Sequence, residues 1–401
     1  MYLTKEEEAL LNGEYGEVFA MAMKTVVKVG EVLGADRLIH VEHAHVSGVS
    51  YFNIRDSGLE FIESLVDKGA KFSTYTTSNP YAVIIDGEIP EDVIIKQKRI
   101  IAALKKMGSQ AFTCAPYHVR KPNYGEHLAW AESNAVLYAN SLLGARSNRE
   151  GGPLALLEAL IGRTYMAGAH LDDGRVPKCL VEVDETPKDV SIMSYLGLKI
   201  GELCPDKIPL VKGLSRVPEW WLKLFLASFG ATSNTPMVVL EGITPDYKEL
   251  STKADIEDRY RVRIVDIEKE FIKDVEKPLR SEGKVIYFIG CPHLSPEELK
   301  QVSDLMKFER HSRNERLEFW VGVGDNISSE DPVVKDLISM GVKVLRGMCP
   351  VTTDLRLLGV SFVVTDSGKA LFYMPKLAKV NVVVKDRSKL VSDYLGCLSL
   401  K

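Results

Sequence analysis

The sequence predicts an α/β fold of more than one domain, with mostly parallel sheets flanked by helices. Three observations carry this expectation. The chain has 401 residues, and single hydrophobic cores stop growing beyond roughly 250–300 residues. Its composition, 45% hydrophobic and 26% charged, suits a chain that buries a sizeable core. Short apolar runs alternate with amphipathic stretches along most of its length, which is the rhythm of parallel strands joined through helices.

The elements follow in order. Thr4 and Glu7 form a capping box, and Glu6 to Glu8 favour the positive end of a first helix. A second helix over 18–33 places Phe19, Met23 and Val26 on one face. A strand over 37–41 leads into His43, His45, Ser47 and Gly48. Helix 58–68 leads to a strand near 72–75, and helix 90–107 to a strand over 111–114. The apolar, small-residue run 130–143 reads as a closely packed helix, and a further helix runs from 153 to about 167. A strand over 176–183 and helices over 189–201 and 218–227 come next. Thr232-Ser233-Asn234-Thr235-Pro236 then breaks the rhythm. An N-terminal α/β region, 1–230, subdividing near 125–150, is therefore expected before a C-terminal α/β domain, 231–401. Strands over 237–240, 285–289, 318–322, 342–345, 361–365 and 380–384 alternate with helices in the latter.

Several function classes are excluded. Net charge is −4 and the basic residues are mixed with acids throughout, so no nucleic-acid partner is expected. No window holds about 18 uninterrupted apolar residues, and the acidic start is no secretion signal, so neither a membrane partner nor export is expected. The expected location is cytoplasmic. The six cysteines are scattered through a long acidic chain, unlike a small disulfide scaffold.

Cys114, Cys291 and Cys349 share a context: each follows a predicted strand, and a proline comes one or two residues later. Ligands gather outside the carboxyl ends of parallel strands, so the three thiols could converge. Cysteine followed by proline recurs at iron–sulfur ligands. Three buried structural cysteines remain the other reading of the same residues. Cys204-Pro205 is a fourth candidate; Cys179 inside a strand reads as a packing residue, and Cys397 near the C-terminus as inert.

The loop Gly144-Ala145-Arg146-Ser147-Asn148-Arg149-Glu150-Gly151-Gly152-Pro153 forms a candidate anion cradle. Glycines let backbone N–H groups approach, a helix start adds partial positive charge, and arginine offers paired donors. Upstream, Glu126, His127, Glu132, Ser133 and Asn134 crowd polar groups into an apolar stretch, a candidate binding face or a satisfied buried network. His43 and His45 carry no metal assignment, and Ser73 to Asn79 gives a row of polar groups at a strand end.

Thr113-Cys114-Ala115-Pro116-Tyr117, the run from Gly125-Glu126-His127 to Gly151-Gly152-Pro153, Gly290-Cys291-Pro292-His293, Met348-Cys349-Pro350 and Ser367-Gly368-Lys369-Ala370 resemble the aconitase X family over essentially the whole chain. The resemblance implies an aconitase-like large subunit with its active site between domains. It implies an iron–sulfur cluster on Cys114, Cys291 and Cys349, a 4Fe–4S group with one open iron or its 3Fe–4S form. The chain stops soon after Cys397, which favours the two-subunit type within the family, with a separate small subunit. The implied reaction is iron–sulfur-dependent dehydration of a small phosphorylated hydroxy acid, (R)-5-phosphomevalonate, to trans-anhydromevalonate 5-phosphate in a modified mevalonate pathway. Dehydration of cis-3-hydroxyproline is the alternative, and a non-catalytic iron-binding protein is a further one. Implied substrate-binding residues are Ser47, Gly48, Asn79, Glu126, His127, Ser133, Asn134, Arg146, Asn148 and Arg149. Ser47, His45 and Glu126 are the candidate bases on this chain, with a serine of the small subunit as the main one.

Overall fold

A computed structural model describes residues 1–85, 87–214, 217–275, 283–307 and 316–399, apart from the side chains of 273–275 and 397–399. The side chain of Cys397 thus lies outside the described residues.

The first part contains α1 (Lys5–Leu11), α2 (Glu17–Val32), β1 (Leu38–His40), β2 (His43–Val46), α3 (Tyr51–Asp67), β3 (Tyr75–Ser78), β4 (Tyr81–Ala82), α4 (Glu91–Met107), β5 (Leu128–Trp130), α5 (Ser133–Tyr138), a π-helical turn Ala139–Leu143, α6 (Gly152–Ile161) and β6 (Arg163–Tyr165). The Thr4–Glu7 capping box is present. Helix α2 buries Val18, Ala22, Met23 and Val26, a single stripe at helical spacing. Its core continues through Ile62, Leu65, Leu104 and Leu160 around the parallel sheet β3–β2–β5.

Tertiary pairing overrides local pattern at several places. Trp130 is fully buried and pairs with His45, so it ends β5 instead of opening a helix. The helix expected to about 167 stops at Ile161, where left-handed Gly162 turns the chain into β6, antiparallel to β1. Around 111–114 only one bridge forms, Ser78 with Phe112, and the strand expected near 72–75 lies at β3.

The second part contains β7 (Cys179–Val183), α7 (Val190–Leu203), β8 (Pro209–Lys212), α8 (Glu219–Thr232), β9 (Val239–Leu240), α9 (Tyr247–Lys253), β10 (Asp258–Val262) and α10 (Ile264–Val275). Its parallel sheet runs β10–β7–β8–β9. The expected division at 231 falls inside this sheet, between β8 and β9. Cys179 and Cys204 form a disulfide inside its core, which removes Cys204 from the candidate ligands.

The third part contains β11 (Lys284–Leu294), α11 (Pro296–Met306), β12 (Leu317–Val323), α12 (Pro332–Ser339), β13 (Lys343–Arg346), β14 (Met348–Cys349), β15 (Val360–Thr365), α13 (Gly368–Leu377), β16 (Asn381–Val384) and α14 (Arg387–Ser399). All pairings in its sheet β13–β12–β11–β15–β16 are parallel. Leu299, Leu337 and Leu390 from α11, α12 and α14 pack on one face. Ala370 and Met374 of α13 join Val83, Ile89 and Ile94 of the first part in a second cluster. Strand β14 pairs with β4, joining the first and third parts beside Cys349.

Candidate active site

A cavity of about 610 Å³ opens between the first and third parts. Ser47 and Gly48 after β2, Asn79 after β3 and Ser133 after β5 line it. These are carboxyl ends of parallel strands, where ligand clefts form. Cys114, Cys291 and Cys349 line the same cavity, and all three are free thiols.

Each thiol is delivered by a different device. The chain enters Cys114 from the bridge of Phe112 with Ser78. Cys291 rides on β11 where its pairing with β12 shifts register. Gly290 has φ 132°, and a Cβ there would lie 2.5 Å from the Gly322 nitrogen, so only glycine lets the strand pass. The Cys291–Pro292 peptide is cis. Cys349 ends β14.

One imidazole ties the three segments together. The backbone N–H of His293 donates to Cys114 Sγ at 3.2 Å. Its Nε2 donates to the Met348 carbonyl at 3.1 Å, so Nδ1 accepts from the Thr113 hydroxyl at 3.2 Å. His293 itself lies two residues beyond Cys291. Burial, with the Lys223 charge adding, lowers its pKa to about 4, although the Met348 carbonyl opposes the shift. The ring is therefore neutral, as this network requires.

Burial pushes the Cys291 thiol up to about 12, with the nearby Cys349 charge adding and Lys369 opposing. Burial raises Cys114 as well, followed by the charges of Glu132 and Cys349. Three thiols that resist ionising alone suit a bound cation, which reverses this balance. Among the described residues no three His, Cys, Asp or Glu side chains are grouped as a holder for one metal ion. Three free thiols lining one cavity are a donor set of the kind that holds an iron–sulfur group.

Arg149 reaches the cavity from the turn before α6. Its guanidinium donates to the Gly230 carbonyl at 2.8 Å and to the Ser233 carbonyl, which anchors it to α8 and its end. Other expected site residues lie outside the cavity. Glu126 accepts from Arg120 and from Asn123 N–H at 2.9 Å. His127 contacts His170 through their Nδ1 atoms, 3.0 Å apart. Arg146 donates to the His170 carbonyl at 2.9 Å and to Asp172, and Asn148 clamps Ala167 and Ala169. These four brace surrounding loops. Asn134 is buried under the cavity, donating to Glu132 at 2.7 Å. His45 is fully buried and spends both ring nitrogens on Thr77 and Asn79, which removes it as a free base.

Glu132 and Lys369, lining residues to which the sequence pattern assigns no individual role, form an ion pair. Glu132 stands out in the sequence as one polar group among several, and Lys369 within Ser367-Gly368-Lys369. Neither pattern shows that α5 and α13 meet.

Fold and site define a three-part α/β protein with a three-thiol cleft between its first and third parts. Models of the aconitase X first, second and third domains match residues 1–173, 177–277 and 285–396. The chain belongs to the aconitase X family. It is 40% identical over 311 residues to the phosphomevalonate dehydratase large subunit of Thermococcus kodakarensis, covering 77% of this chain and 78% of that one. It is 36% identical over 409 residues to the protein of that name from Methanocaldococcus jannaschii, covering 98% and 99%. Its fold is similar to the crystal structure of holo-form aconitase X from Thermococcus kodakaraensis, with TM-score 0.88, 34% identity, and coverage of 98% of this chain and 100% of that one. No helix among the described residues is long and apolar enough to cross a membrane.

Proposed function

We propose that this chain is the large subunit of a hydro-lyase that dehydrates (R)-5-phosphomevalonate to trans-anhydromevalonate 5-phosphate, with an iron–sulfur cluster on Cys114, Cys291 and Cys349 and a separate small subunit. The observation that carries this reading is that three free thiols from three distant segments line one cavity together with Arg149 and Lys369. The names of its relatives point to the same substrate and to a partner. When bound, a cluster with an open iron supplies a Lewis acid for the substrate's oxygens.

The chain's own residues bind and orient. Arg149 provides a planar cation for a carboxylate or phosphate group. Ser47, Asn79 and Ser133 offer hydroxyl and amide groups around it. Ser47 is the candidate proton acceptor on this chain that reaches the cavity. Glu126 is engaged elsewhere, which leaves the main base to the small subunit. Arg149→Ala should weaken substrate binding, and unchanged affinity in calorimetry would sink that role.

The test is anaerobic co-expression with the small subunit, iron and sulfide analysis, and dehydration assays on phosphomevalonate and cis-3-hydroxyproline. Phosphomevalonate turnover that collapses together with iron in the three Cys→Ala variants is expected. Full turnover without iron would overturn the cluster reading, and turnover of hydroxyproline alone would overturn the substrate.

A further inference from the structure

The wall of the cleft holds a chain of hydrogen bonds whose directions can be worked out bond by bond. Asn79 Nδ2 donates to Glu132 Oε2 at 2.7 Å, so Asn79 Oδ1 is free to accept from His45 Nε2 at 2.8 Å. Burial holds the His45 ring neutral, lowering its pKa to about 4 against the opposing Asn79 bond and Glu132 charge. Its Nδ1 must then accept, and the Thr77 hydroxyl donates to it at 2.7 Å. Thr77 has no second proton, so its oxygen accepts from His43 Nε2 at 2.9 Å. With Nε2 donating, the remaining nitrogen, His43 Nδ1, is the acceptor of a neutral ring, and it is buried without a partner among the described residues.

At its other end this chain fixes Glu132. The carboxylate also accepts from Asn134 at 2.7 Å and from the Lys369 ammonium. Burial opposes its charge, but Lys369 and the two amides overcome this and hold the carboxyl at about 2. Lys369 sits at the start of α13, which Ser367 caps. Gly368 seats that helix: its N–H donates to Ser194 Oγ at 2.8 Å, and a Cβ would lie 2.8 Å from Ser228 Oγ. An ammonium has three N–H groups, and Glu132 is the only acceptor for Lys369 among the described residues. Lys369 lines the same cavity as Cys114, Cys291 and Cys349. On the dehydration reading of the cleft, it shares that cavity with the reacting carbons.

We propose that Lys369 is a substrate-contacting residue whose ammonium meets the carboxylate at the reacting end of the substrate, and that Glu132, fixed by the His43–Thr77–His45–Asn79 chain, is its positioning residue. This rests on the reading of the cleft as the dehydration site. No proton need leave the ammonium: it binds, orients and offsets negative charge.

The test uses the anaerobically loaded two-subunit complex, with activity normalised to iron and sulfide. The readouts are kcat, KM and calorimetric affinity for the reaction product. Losing a charge-assisted hydrogen bond in Lys369→Met should lower product affinity and kcat/KM roughly 10- to 100-fold, with partial recovery in Lys369→Arg. Glu132→Gln leaves the ammonium but frees it, and kcat/KM should fall roughly tenfold or more. Values for Lys369→Met within twofold of wild type would overturn the inference. If that variant does not load iron, Glu132→Gln decides by the same criterion. Wild-type complex without phosphomevalonate turnover counts against the proposed function itself. Wild-type turnover matched by the variants counts against the role of Lys369 alone.

Discussion

Thr77→Val isolates the buried chain behind the cleft from the chemistry in front of it. Thr77 is fully buried, and its hydroxyl bridges His43 Nε2 at 2.9 Å and His45 Nδ1 at 2.7 Å. Valine has nearly the same shape, so no cavity opens. What remains is a buried donor on His43 and a buried acceptor on His45, each without a partner. An unsatisfied buried group costs about 1–3 kcal/mol, so the two together cost about 2–6 kcal/mol. The added methyl returns about 0.8 kcal/mol, for a net loss of roughly 1–5 kcal/mol. The assay is urea unfolding followed by tryptophan fluorescence. Trp130 reports from within the network, with His43 edge-on at 5.2 Å and His45 at 6.2 Å. Thr77→Ser keeps the hydroxyl and should lose less stability than Thr77→Val. A Thr77→Val transition unchanged from wild type, or a serine variant less stable than the valine one, would refute these bond directions.

Acid should destabilise the same region. Burial lowers the His45 pKa from 6.5 to about 4, so the folded state binds fewer protons than the unfolded one between these values. Stability is then complete above pH 6.5 and falls by up to roughly 3 kcal/mol towards pH 4; urea midpoints that do not move over this range would contradict it. Lys223→Met should be among the costliest single changes, because Lys223 is buried, donates to the His293 carbonyl at 3.1 Å and pairs with Glu298, which also meets Arg387. Breaking one partner out of such a network costs about 3–5 kcal/mol, and calorimetric unfolding measures it. Gly368→Ala should push α13 off Ser228 and Ser194, raising KM while iron content stays at the wild-type level.

The local elements were largely readable because their causes are local. The capping box at Thr4, the stripe of α2 and the parallel strands of the third part follow from residue spacing within a few turns. The three cysteines stood out by a shared local pattern, a strand before and a proline after. Trp130 misled because a small, apolar run suits a helix or a buried strand equally, and only pairing with His45 decides between them. The division at 231 misled because a turn-rich stretch looks the same between domains and between two strands of one sheet. The polar loop around Arg146 to Arg149 was a sound signal for dense hydrogen bonding, but spacing could not tell which arginine faces the cleft. Arg149 does, and Arg146 braces His170 and Asp172. By itself, then, the sequence determined the α/β alternation and the family likeness and singled out Cys114, Cys291 and Cys349 as candidates, which depend on residue types and short-range order; the disulfide to Cys179 removed Cys204. Only the tertiary structure decided that His293, two residues from Cys291, contacts the Cys114 and Cys349 segments and that Glu132 meets Lys369, because these contacts join residues roughly 55 to 240 positions apart, and those to Thr113, Cys114 and Glu132 exist only where the first and third parts meet.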